Sequence, residues 1–220
     1  LQQMAAQAGV RTYQRASIEE YSFQFGRLRG LLIKSGRRLI SLRGRLFVDA
    51  SGMAGVLRQH VPELAKYCAP VADAETCLAV QQVCRISDPE GARAFLEQYG
   101  ASVGSIISFN GVAGGYSVCM VHVEEDCRQV SLLTGVIANA GHGDGEQLMA
   151  QLKAEHSWIG RKLRGGDKMI PIRRPYELLA ASGVCLVGDA ACQVFPAHGS
   201  GVGSGLIAAR LLADHVARFH

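Results

Sequence analysis

Long apolar runs are missing from these 220 residues. None reaches the ~18 residues that a membrane-spanning helix needs, and the first residues show no leader-peptide pattern. Paired cysteine motifs are missing too. Seven cysteines, Cys68, Cys77, Cys84, Cys119, Cys127, Cys185 and Cys192, form no C-x-x-C pair. Metal-ligand spacing is therefore absent and no metal site is expected, while an odd count argues against a disulfide scaffold. A reducing cytoplasm is the expected compartment, with a peripheral membrane contact left open. Charge of one sign is scarce as well, at a net +4. Arg27, Arg29, Arg37, Arg38, Arg43 and Arg45 cluster with little aromatic interleaving. That pattern favours a solvated hairpin over a nucleic-acid surface, and no nucleic-acid partner is expected. What is present is a globular composition, 48% hydrophobic and 19% charged, long enough to bury a core.

The chain is organised around Val184 to Ala213, where an apolar strand runs into Gly188-Asp189, a Pro/Gly-rich loop and a long apolar helix. Asp189 ends a buried run, which is costly for a charge unless it is paired or hydrogen-bonded. Gly199, Gly201, Gly203 and Gly205 let backbone approach a ligand closely, and the following helix aims unpaired N–H groups at it. A plain strand-to-helix turn closed by glycines is the other reading of the glycines alone.

Gly188-Asp189-Ala190-Ala191, then Pro196, then Gly199-Ser200-Gly201 resembles the second FAD-binding motif (GDAA…PxxGxG) of a flavoprotein superfamily. That superfamily includes aromatic hydroxylases and geranylgeranyl reductases. The resemblance implies that Asp189, with Gly188 and Ala190 beside it, contacts the ribitol chain of FAD. It also implies that the loop after Pro196, through the backbone of Gly199, Ser200, Gly201 and Val202, meets the pyrimidine side of the flavin. The first section is similar to the middle of the same proteins. Asp49-Ala50-Ser51-Gly52 matches their D-A-(S/T)-G strand end, and Arg58 stands where they carry an arginine. Asp49 and Gly52 join the implied cofactor residues; a strand-end acid capping the next helix is the alternative for Asp49. Ala54-Gly55 departs from the pattern, which has a serine there. The adenine-side contact falls by resemblance on backbone near Ala16 to Ile18.

In chain order, a helix is expected over Leu1–Ala8, then strands over Val10–Tyr21, Arg27–Lys34, Arg37–Leu42 and Arg45–Ala50. A helix is expected from about Ala54 to His60, and a loop over Pro62–Ala74. Thr76–Ile86 reads as extended, Asp88-Pro89 opens a helix that Gly100 ends, and Ser105–Phe109, Tyr116–Val123 and Gln129–Ile137 read as an antiparallel meander. Gly141–Gly145 is expected to be a flexible link. A helix from Glu146 to about Leu163 follows, and Met169–Tyr176 is a connector in which Arg173 and Arg174 face either the cofactor or an ion-pair partner. The expected fold class is α/β (α+β), a partial FAD-binding Rossmann-like domain with an inserted antiparallel-sheet substrate domain. Its divisions are 1–61, 62–175 and 176–220.

The order of parts is most similar to geranylgeranyl reductases, which reduce carbon–carbon double bonds through reduced FAD. Gly114-Gly115-Tyr116 keeps the start of their substrate-lining strand, but Val118, Met120 and Val121 replace its tryptophan, phenylalanine and proline. The implied substrate is a small apolar or aromatic molecule, and the electron donor is either NAD(P)H or a protein. Tyr116 is a candidate for donating a proton or orienting substrate, or a plain strand tyrosine. His198 is a candidate acid or charge partner beside the flavin, or an exposed loop histidine. Cys119, Cys192 and Trp158 read first as packing. Two alternatives stand: a flavin-dependent monooxygenase of hydroxylase or halogenase type, and a non-catalytic domain without cofactor. The family's phosphate-binding GxGxxG unit has no counterpart before Gly9. The chain is therefore expected to be a fragment, inactive and poor at holding FAD alone, with a C-terminal part missing as well.

Overall fold

The computed structural model describes residues 1–137, 144–195 and 201–219. Contacts divide the chain into two units, Leu1–Ala69 with Tyr176–Ala191, and Pro70–Pro175 with the chain from Cys192 onward. Both mix α and β structure, and antiparallel pairing dominates.

The first unit begins with helix α1 (Gln2–Gln7), none of whose residues is buried. Strands β1 (Ala16–Gln24), β2 (Arg27–Ser35) and β3 (Arg38–Arg43) then form an antiparallel meander with β2 central. β2 supplies the buried Leu28, Leu31 and Ile33, while β1 is an outer strand with only Ile18 and Tyr21 partly covered. Expected strand Val10–Tyr21 thus starts later and runs further. Strand β4 (Phe47–Asp49) pairs in parallel with β11 (Val184–Leu186), and β10 (Ala180–Ala181) lies antiparallel on the other side of β11. Parallel neighbours so far apart in sequence put their C-terminal ends side by side.

Two expectations for this unit need correction. Ala54–His60 is not a helix: only Gly52–Ala54 makes a short 3-10 turn. The N–H groups of Leu57 and Arg58 are diverted to the Asp49 carboxylate, at 2.8 and 2.9 Å, instead of joining a helical ladder. Conversely, Pro62–Ala74 is not all loop, since helix α2 (Pro62–Tyr67) forms there with Pro62 in its first turn and Leu64 buried.

The second unit is a five-stranded antiparallel sheet in the order β6-β7-β8-β5-β9. Its strands are β5 (Thr76–Ile86), β6 (Ile106–Asn110), β7 (Ser117–Val123), β8 (Gln129–Val136) and β9 (Ile159–Pro171). Helices α3 (Pro89–Gln98) and α4 (Gly145–Glu155) close one face. Val80, Cys84, Val121, Val123, Val130 and Leu132 pack there with Phe95, Leu96, Met149, Leu152 and Trp158. The Asp88 side chain accepts the Glu90 N–H and caps α3. α4 opens with a capping box, in which Asp144 accepts the Gln147 N–H at 2.8 Å and Gln147 accepts the Asp144 N–H at 3.4 Å. Helix α5 (Val202–Phe219) completes the unit.

Here α4 stops at Glu155, and the expected helix to Leu163 is replaced beyond Trp158 by the long edge strand β9. Ile159 and Leu163 fall at helical spacing, yet only Ile159 is buried, and the stretch between them bonds to β5. Gly145 is not a link but a close contact: a Cβ there would sit 2.9 Å from the Leu78 carbonyl oxygen. Gly141 to Gly143 lie outside the described residues. Gly165 is constrained most, with φ +139° and a notional Cβ 2.1 Å from the Gln81 carbonyl oxygen. Gly165→Ala is therefore expected to destabilise the protein by about 2–4 kcal/mol, measured from its urea midpoint.

Candidate functional site

The parallel pairing of β4 with β11 sets Asp49 beside Leu186, and the Val187 N–H donates to the Asp49 carbonyl at 3.0 Å. After both strands the chain turns through a left-handed glycine, Gly52 at φ +71° and Gly188 at φ +68°. The 3-10 turn Gly52–Ala54 then lies against the 3-10 turn Gly188–Ala191. Five expected cofactor residues, Asp49, Gly52, Gly188, Asp189 and Ala190, therefore converge within the first unit. Asp189 is partly exposed and Ala190 is buried beneath the turn.

Asp49 is 1% exposed, and its carboxylate is occupied. One oxygen accepts the Ser51 N–H at 3.1 Å and the Ser51 hydroxyl at 2.6 Å, and the other accepts the Leu57 and Arg58 N–H groups. The Ser51 hydroxyl oxygen in turn accepts the Val56 N–H at 3.0 Å. This side chain anchors a loop, the capping reading of the sequence in a form without a helix.

Arg58 is also 1% exposed. Its Nη1 donates to the Ala190 carbonyl at 2.9 Å, Nη2 donates to the Met53 carbonyl at 3.4 Å, and the guanidinium lies over the Tyr176 ring at 5.1 Å. Its Nε has no hydrogen-bond partner among the described residues. Gly55, at φ +54°, makes room: a Cβ there would lie 2.7 Å from the guanidinium. The Ala54-Gly55 departure from the family pattern thus has a local reason. Tyr176 donates its hydroxyl to the Ala69 carbonyl, and its N–H reaches the Ala191 carbonyl at 3.3 Å. The sequence reading did not single out Tyr176, because a tyrosine after Arg-Arg-Pro carries no signal of its own. Tyr21 was missed for the same reason; its hydroxyl donates to the Val56 carbonyl at 3.1 Å and its ring stacks on His60 at 4.2 Å. Ile18, on the same strand, pairs with Ile33 and is half-buried.

The remaining site residues belong to the second unit. Tyr116 is half-buried just before β7, and burial, with Cys77 contributing less, pushes its phenol above the ordinary value. Gly201 and Val202 open α5, with Val202 78% exposed. Pro196, His198, Gly199 and Ser200 lie outside the described residues. Arg173 forms an ion pair with Glu75 at 3.2 Å, and Arg174 is exposed. Cys119, Cys192 and Trp158 are all buried, in keeping with packing. No group of His, Cys, Asp and Glu among the described residues could hold a metal.

No family model matches the sequence, and no curated protein matches it. Solved structures do. A geranylgeranyl bacteriochlorophyll reductase-like protein from Thermoplasma acidophilum superposes with TM-score 0.75 at 15% identity, over 93% of this chain and 49% of that one. A triple mutant of the flavin-dependent brominase Bmp2 gives TM-score 0.65 at 17% identity, over 98% and 54%. A flavin-dependent halogenase from Xanthomonas campestris gives 0.63 at 14%, over 96% and 38%. The chain has the fold of these proteins. It spans about half the length, or less, of each (49%, 54% and 38%).

Two outcomes test this geometry. Arg58→Met should lower stability by about 2–4 kcal/mol, because it strands two carbonyls and empties volume in a buried site; urea denaturation measures it. The Cys77 thiol is pushed up by burial from 9.0 to about 11, against the opposing Val136 backbone hydrogen bond. Its contribution is complete below about pH 9 and is lost as pH rises through about 11, because the unfolded thiol ionises first. Cys77→Ala should flatten the fall in stability across that window.

Proposed function

We propose that this chain is part of an FAD-dependent oxidoreductase that reduces a carbon–carbon double bond of an apolar substrate. The convergence of the Asp49–Gly52 and Gly188–Ala191 turns, clamped by Arg58, carries the reading. The residues fit the cofactor on one observation in particular: a Cβ placed on Gly52 or on Gly188 would meet nothing within 4 Å. Both left-handed turns therefore face open space at strand ends, the position where open α/β sheets take their ligands.

In this reading the Asp189 carboxylate accepts hydroxyls of the ribitol chain, and the Gly188 backbone lets them approach. Arg58 and Asp49 hold the two turns in register and touch no ligand through their own side chains. Gly201 and Val202 supply backbone N–H groups at the start of α5. Tyr116, a phenol and so protonated at neutral pH, delivers a proton to the substrate. FAD, when bound, supplies the hydride that the side chains cannot. NAD(P)H or a reduced protein would replenish it. The halogenase neighbours support a monooxygenase as the second reading; oxygen uptake with substrate present would favour it over reduction.

Asp189→Ala in the longest natural form of the protein tests the site. Loss of a charge-assisted hydrogen bond, worth about 1.5–3 kcal/mol, should cut flavin affinity roughly ten- to a hundredfold. Unchanged flavin absorbance in the purified variant would sink the reading. A parent protein that stays colourless with added FAD would favour the non-catalytic alternative.

A further inference from the structure

One end of the β1–β2–β3 meander is left unexplained by the flavin reading. β1 and β2 are joined by a two-residue turn, Phe25-Gly26, between the paired Gln24 and Arg27. Both turn residues are left-handed, φ 51° and 71°. Such a turn favours Asn, Asp or Gly at its first position, and a bulky side chain there is strained. Phe25 is moreover 97% exposed, and Phe23 next to it is 40% exposed. Neither turn chemistry nor burial inside this chain accounts for an aromatic at the tip.

Basic residues gather at that end of the sheet. Arg27 and Arg29 begin β2, Arg43, opposite Gly30, ends β3, and Arg45 follows it. A concavity of about 1010 Å³ along the meander, running from Phe23 and Gln24 beside the tip to Leu32 and Ser41, is lined by Arg29, Arg43 and Arg45, with Glu20 the one acid among its described lining residues. Arg29, Arg43 and Arg45 are exposed, and none forms an ion pair among the described residues. Arg27 differs: it is half-buried and donates to the Arg45 carbonyl at 3.1 Å, which ties the end of β3 to the start of β2.

We propose that this end of the meander docks on an anionic lipid surface, with Phe25 entering the acyl boundary and Arg29, Arg43 and Arg45 binding headgroup phosphates. A lone ring projecting from a tight turn gains little from a rigid protein face without a matching pocket. It gains fully from a deformable apolar layer beneath negative charge. No described helix is long and apolar enough to cross a membrane, so the contact is peripheral. The inference is independent of flavin binding.

The test is co-sedimentation of the full chain with vesicles of phosphatidylglycerol and phosphatidylcholine in equal parts, and with phosphatidylcholine alone. Binding is expected only to the anionic vesicles and should weaken with added salt. Phe25→Ala should reduce it about tenfold or more, while Phe25→Leu, which keeps the apolar tip, should retain most of it. Replacing Arg29, Arg43 and Arg45 by Gln should abolish the difference between the two vesicle types. Because all four side chains are exposed, these variants should unfold in urea as the parent does. Phe25→Trp adds a reporter distinct from the buried Trp158, and its emission should shift to the blue on anionic vesicles. Absence of vesicle binding, or binding untouched by Phe25→Ala, overturns the proposal. Capture by heparin or a single-stranded oligonucleotide without vesicle binding overturns it too, assigning the arginines to a polyanion instead.

Discussion

A buried carboxylate with four donors on it holds the first unit together. Asp49 ends a three-residue strand inside the protein, where an unsolvated charge costs several kcal/mol unless it is fully hydrogen-bonded. The Ser51 hydroxyl and the N–H groups of Ser51, Leu57 and Arg58 meet that demand together. The requirement dictates the path of the next nine residues. It pulls Leu57 and Arg58 back toward the strand, which removes their N–H groups from any helix. The retracing loop in turn delivers the Arg58 side chain across Gly55 to the Ala190 carbonyl. Two glycine turns more than a hundred residues apart in sequence thereby become one feature.

The second unit depends on the close approach of backbones. β5 is bonded on both sides, and its neighbours can come near only where side chains are absent. Gly145 of α4 rests on Leu78 and Val80, and Gly165 of β9 on Gln81. Gly135 of β8 has Cys77 and Val118 within 3.3 Å of its notional Cβ. With α3 and α4 sealing the Val80–Cys84 face, the opposite face carries smaller and more polar groups, Tyr116 and Cys77 among them.

How far the sequence disclosed this depends on the kind of signal. Alternation and turn residues marked β2, β3 and the β6–β8 meander closely, because period-two burial and Asn-Gly or Gly-Gly turns leave a direct trace. The Gly188-Asp189-Ala190-Ala191 string marked its turn through its resemblance to a known motif and through a charge at the end of an apolar run. Three things left no such trace. Leu163 continued a helical spacing by coincidence, while the choice of strand for β9 was made by pairing with β5. The helix expected after Gly52 was cancelled by a hydrogen bond to a side chain five or more residues back. Tyr21 and Tyr176 act through single hydroxyls on distant carbonyls, which no spacing rule can show. Nothing in the sequence marks Phe25 as exposed, since exposure is a property of the fold and not of the string.

The Asp49–Arg58 arrangement also bears on how a ligand would be held. Both charges are buried in one loop and, among the described residues, they form no direct ion pair; each is satisfied mainly by backbone groups. Opposite charges so placed compensate one another without demanding a counter-ion from solvent or ligand. The turns they support are consequently held by groups of the chain itself. A ligand that fits them would not have to order the Ser51–Arg58 loop, and the conformational entropy of that loop would not be deducted from its affinity. Binding strength would then rest on the few groups that reach the ligand, Asp189 foremost. The loop's own contribution would appear as stability rather than as contact.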